Sequence, residues 1–195
     1  MRSRLHSLTA LSLVLAAIGS VARVTSADDK AVLRLRAFAV NLSGPARTRT
    51  GTLDITIERW STPEEAARLR DILSEKGSDA LLEALQKVKP RAGSIQRTGQ
   101  LGWDVQFAQQ VVASNGSRRI ILATDRPLSF FEAANQTRSS DYAFTLAEIR
   151  LTPDGKGEGK LVPAAKIEYD KESNTLEIEN YNIEPTRLTQ VEIVK

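Results

Sequence analysis

Within residues 123–145 the chain reads ATDRPLSFFEAANQTRSSDYAFT, and Asp125, Arg126, Glu132, Arg138 and Asp141 alternate there with Phe130, Phe131 and Tyr142. Such a mixture can do three kinds of chemistry. Arg126 or Arg138 can fork onto a ligand carboxylate or phosphate while the aromatic rings form apolar walls. The same guanidinium groups can instead close on Asp125, Glu132 and Asp141, which makes the stretch a structural tie-down with the rings plugging the end of a sheet. Two of the carboxyls facing each other across a cleft, about 5 to 9.5 Å apart, would suit a carboxylate-based hydrolase. Acids at least match bases within the stretch, so the tie-down needs no outside partner.

Other chemistries are pruned by what the chain lacks. It has no Cys, one Met and one His. His6 lies in an N-terminal stretch with Arg2 and Arg4, the apolar run LTALSLVLAAIG and a small-residue boundary before Asp28. That pattern predicts a secretory signal peptide over residues 1–27, too short in its apolar core to span a bilayer. Cleavage after Ala27 removes His6 and Met1. A Ser-His-Asp triad, a Cys-His pair and the usual zinc or copper sites are then out of reach. The Gly-rich run DGKGEG at 154–159 has neither the spacing of a phosphate-binding loop nor a Ser or Thr after its Lys. We expect no metal and no cofactor.

Charge points the same way. The full chain has 27 Lys+Arg against 24 Asp+Glu, and residues 1–27 carry Arg2, Arg4 and Arg23 but no acid, which leaves 24 of each sign. The basic balance thus belongs to the targeting segment and predicts no nucleic-acid partner. No later run is long and apolar enough to span a membrane. The expected location is periplasmic or secreted, with residues 28–195 as a single β-rich α+β domain.

The elements that must hold the 125–141 stretch follow from periodicity. AVLRLRAFAV (31–40) and TLDITIERW (52–60) alternate as half-buried strands, with Leu33, Leu35, Ala37, Ala39, Leu53, Ile55 and Ile57 on the inner face. The period then changes. Thr62 with Glu65 forms a capping-box pattern around Pro63, followed by an apolar stripe of Ala66, Leu69, Ile72 and Leu73 and a stop at Gly77. A second stripe of Leu81, Leu82, Leu85 and Val88 ends at Pro90, which predicts a helical hairpin over about 62–88, inserted after the second strand. From residue 93 the chain reads as β. LGWDVQFAQQVVA (101–113) is expected to place Leu101, Trp103, Val105, Phe107 and Val111 on one face. Asn115-Gly116 and the TPDG turn at 152–155 mark tight connections. The fold expected is α+β: about nine mostly antiparallel strands in a curled sheet or barrel, with the helical hairpin covering one side or end.

With RWST before it and GKGEGKL, KIEYD and LEIENY after it, the run GSRRIILATDRPLSFFEAANQTRSSDYAFTLAEIRL resembles a group of uncharacterised exported bacterial proteins. The resemblance covers roughly residues 51–190 and implies export from a bacterial cell, without an activity. The functional expectation is a non-enzymatic exported module that binds a small amphipathic ligand or a partner near the sheet end, through Asp125, Arg126, Phe130, Phe131, Glu132, Arg138, Asp141 and Tyr142. The alternative is a structural or protein-interaction module of the cell envelope, marked by a free edge strand or an apolar patch.

Overall fold

The computed structural model describes residues 33–41, 49–128, 143–170, 175–180 and 184–194. Ten strands and two helices follow one another as β1 (Leu33–Asn41), β2 (Arg49–Ile57), α1 (Pro63–Lys76), α2 (Ser78–Gln86), β3 (Gly93–Arg97), β4 (Trp103–Val105), β5 (Phe107–Val112), β6 (Arg118–Ala123), β7 (Phe144–Leu151), β8 (Lys156–Asp170), β9 (Thr175–Asn180) and β10 (Thr186–Ile193). Every pairing is antiparallel, in the order β4-β3-β2-β1-β10-β8-β7-β6-β5, with β9 added to the far half of β8. The α+β architecture and the hairpin after the second strand are as the sequence indicates.

The two ends of that order are neighbours in sequence, separated by Gln106 alone. β4 pairs with β3 and β5 pairs with β6, so one stretch of chain belongs to both margins and the sheet curls into a nearly closed barrel. The expected strand 101–113 is therefore two strands. It breaks because the chain changes partner at Gln106, whose N–H reaches Ala123 O at 2.9 Å. The change also shifts the alternation: Val105 and Ala108 face the barrel interior, whereas Phe107 packs on the helix side. Leu101 and Val111, expected inside, are 92% and 54% exposed.

The seam is filled by residues 58–61. Glu58 and Arg59 N–H both reach Ala92 O, Ser61 N–H donates to Ala108 O at 2.7 Å, and Ala108 N–H returns to Ser61 Oγ at 3.2 Å. Across it Arg91 joins Glu58 and Asp104 at 2.7 and 2.6 Å. Barrels of about eight strands are just wide enough to be filled by side chains. Leu35, Leu53, Ile55, Ile95, Ile120, Leu122, Ile149 and Leu161 fill this one, and Ala37, Ala39, Ala108 and Ala147 supply the small positions. Trp60 and Trp103 pack against it from the margin.

The helices build a second layer outside the barrel. Thr62 Oγ1 accepts from Glu65 N–H at 3.2 Å, and Glu65 Oε2 accepts from Thr62 N–H at 3.0 Å, so the predicted capping box forms. Arg59 bonds Glu65 at 2.8 Å and Pro90 O at 2.8 Å, which ties the start of α1 to the exit of α2. Leu69, Leu73, Leu81, Ala84 and Leu85 pack on Phe144, Val162, Ala165 and Ile167. A bulge makes that surface available. Phe144 lies opposite Ala165 but Leu146 opposite Val162, so Pro163 and Ala164 together face Thr145. The extra residue shifts the alternation, turning Ala165 and Ile167 to the helices although Leu161 faces the barrel.

Candidate functional site

The 123–145 stretch leaves the sheet at Ala123 and returns at Phe144, at the barrel end. Phe130, Phe131, Glu132, Arg138, Asp141 and Tyr142 lie outside the described residues; Asp125 and Arg126 lie within them. What holds the described part is a pair of buried threonines. Thr124 and Thr145 are 0% and 1% exposed. Thr124 Oγ1 donates to Arg126 O at 2.5 Å and accepts from Thr145 N–H at 3.1 Å. Thr145 Oγ1 lies 2.8 Å from Pro163 O and 3.2 Å from Arg126 O, and it accepts the Leu128 N–H at 2.8 Å. Pro127 offers no N–H to this set, and its neighbours take all the bonds available. The result drives Leu128 into the end of the barrel core, where it is 4% exposed.

The charged pair is looser. Arg126 Nε stands 3.8 Å from Asp125 Oδ1, and the Arg126 side chain is 57% exposed. Asp125 Oδ1 itself is buried without a hydrogen-bond donor among the described residues. The base of the stretch is thus anchored by hydroxyls, and the Arg126 guanidinium remains largely in solvent. In the sequence the charges of this stretch stand out, whereas the only signal of Thr124 and Thr145 is two β-branched hydroxyl residues at the two ends of one connection.

Beside this exit lies an apolar cleft of about 240 Å³ between the helical hairpin and the outer face of the sheet. Its roof is Ala66, Leu69, Arg70 and Leu73 of α1 with Leu81 and Leu85 of α2. Its floor is Phe107 and Gln109 of β5, Ile121 and Ala123 of β6, Leu146 of β7, Ile167 of β8 and Ile178 of β9. Ala123, where the stretch begins, is directly paired with Leu146, just past its end, and both lie on the cleft floor. Arg126 does not line it. Arg70 does, and among the described residues it has no carboxylate partner. The helix stripe was legible in the sequence as a packing surface. The floor had a signal too: Ile120, Ile121 and Leu122 run apolar without alternation, which is the mark of a strand covered on both faces.

A second hollow, of about 410 Å³, follows the outer surface at Arg36, Phe38, Lys156, Gln190 and Glu192. Its Arg36 is already held by Asp54 at 3.0 Å. At its floor β10 bulges between both neighbours, with Gln190 at a φ of 51°. Among the described residues no helix is long and apolar enough to cross a membrane. Comparison with protein-family models, with curated proteins and with solved structures finds no match to this chain.

Proposed function

We propose that this protein is a non-enzymatic, exported binding module, and that the cleft between the helical hairpin and the sheet takes the apolar part of a small amphipathic ligand or of a partner. The observation that carries the reading is the composition of that cleft. Leu, Ile and Phe side chains line it from five strands and two helices, and Arg70 and Gln109 provide polar groups among them. The few polar groups of such sites fix orientation, and the apolar walls provide most of the affinity. At about 240 Å³ it is smaller than the roughly 300–1,000 Å³ of drug-sized pockets. One short alkyl chain or one aromatic group suits it better than a whole lipid. Arg70 favours an anionic head group.

In this reading Asp125 and Arg126, which follow Ala123 of the cleft floor, stand near the site. Export rests on the N-terminal pattern of residues 1–27 and is tested by the mass of the protein recovered from its host, which should begin at Asp28. Binding is tested by native mass spectrometry of that material beside an Ala66→Phe variant, whose ring fills the cleft from α1. Wild-type protein should carry a retained small molecule or peptide that the variant loses. A bare wild-type protein that also fails to bind decanoate would refute the reading. The envelope-module alternative draws on a different feature, the margin of β5 left without a strand partner among the described residues.

A further inference from the structure

Among the described residues, the margin of β5 is open where the cleft ends. Ala113 N–H donates to Ser117 O at 2.9 Å, and antiparallel ladders alternate, so Gln109 and Val111 direct their backbone groups at β6. Ala108, Gln110 and Val112 direct theirs away. On that outward side Ala108 is taken by Ser61 through both its N–H and its C=O. Gln110 and Val112 have no backbone partner there among the described residues.

Exposed strand margins are normally guarded by charge, proline or a bulge. Gln109–Val112 has none of these, and Val111 and Val112 are 54% and 50% exposed. The contrast lies within the same molecule. β9, which pairs with β8 alone, carries Glu177 and Glu179 among its six residues. Side chains alternate across a strand, so Val111 shares its face with Phe107 and Gln109, two residues of the cleft floor. Among the described residues, an unguarded hydrogen-bonding margin therefore adjoins an apolar cleft, with Arg70, a cation without a carboxylate partner there, on the cleft's other wall.

We propose that the occupant of the cleft is an extended peptide segment of a partner protein. It adds as a strand to the outward groups of Gln110 and Val112, sends one apolar side chain between α1 and the sheet, and sets a carboxylate on Arg70. This rests on the cleft being a binding site and names what binds there. Strand addition supplies affinity through the main chain, and a pocket for an alternate side chain supplies selectivity. The carboxylate can come from a chain terminus or from an acidic side chain.

The test uses random octapeptide libraries, displayed once with a free C-terminus and once attached through it, selected on the full protein. Val112→Pro removes only an outward N–H and leaves the β6 ladder in place. Val111→Glu is a second variant, at an exposed position on the cleft face. Selected peptides should carry an apolar residue near a carboxylate and bind at least tenfold more weakly to both variants. Arg70→Glu should weaken them, but should not affect forms whose carboxylate is amidated. Enrichment from the free-C-terminus library alone assigns the carboxylate to a chain end, and enrichment from both assigns it to a side chain. No enrichment on wild type over Val112→Pro, or equal binding to all variants, overturns strand addition. If decanoate still binds wild type and not Ala66→Phe, the cleft stands and only the peptide is refuted. If decanoate fails as well, the cleft reading falls with it.

Discussion

At the scale of single residues, most of the specification is polar and local. Glu65 shows how. Burial opposes its ionisation, but the Arg59 hydrogen bond, the Thr62 N–H and the charges of Arg59 and Arg68 outweigh it, so its carboxyl titrates below the usual glutamate value. A depressed folded-state value adds stability above the unfolded value of about 4.3, and that stability is lost as pH falls through the folded one. Glu65→Gln should therefore cost about 1 kcal/mol at pH 7, with the difference from wild type shrinking as the pH falls through the folded-state value, as read by urea denaturation over a falling series of pH. Gln190 is the opposite case. With φ at 51° it occupies a left-handed position that costs a side-chain-bearing residue roughly 1–2 kcal/mol. Gln190→Gly should raise the thermal midpoint by relieving about 1 kcal/mol, and an unchanged or lower midpoint would show that the side chain has a compensating contact.

The element scale shows which parts of the fold were legible. Thr62, Pro63, Glu65 and Gly77 announce α1 because capping chemistry is local, and Asn115-Gly116 announces its hairpin for the same reason: Gly116 takes the positive φ the turn requires. The alternation of Leu33, Leu35, Ala37 and Ala39 gives β1 and its inner face. What stayed hidden depends on long-range pairing. Nothing local at Gln106 shows that the chain changes partner there, so Phe107 and Val111 read as inner residues. The bulge at Pro163–Ala164 is equally silent, though it creates the floor beneath the helices. Of the candidate site, the position of the exit near Asp125 and the separate apolar surfaces of helix and strand were legible; the hydroxyl anchors and the meeting of those surfaces in a cleft were not, because they join residues distant in sequence. The Gly-rich run of β8 now has a steric account. A Cβ on Gly157 would stand 1.9 Å from the backbone oxygen of Arg150. Gly157→Ala must displace β7 against β8 and should destabilise the barrel by more than about 2 kcal/mol, measured by chemical denaturation.

At the scale of the whole molecule, two layers divide the labour. The barrel is filled by its own side chains, with Leu128 at its end. The helical hairpin packs outside it and leaves the cleft where its leucines do not fully meet the outer sheet face. Barrel rigidity then fixes the floor, and a two-helix roof joined through Gly77 covers it. Binding should consequently perturb the outer layer and spare the inner one. Methyl-resolved NMR during a titration with decanoate tests this most directly. The account predicts saturable shifts at Leu69, Leu73, Ile121, Leu146 and Ile178, with Leu35, Ile55 and Ile120 inside the barrel unmoved. Shifts confined to the barrel methyls, or none at any concentration below micelle formation, would contradict it.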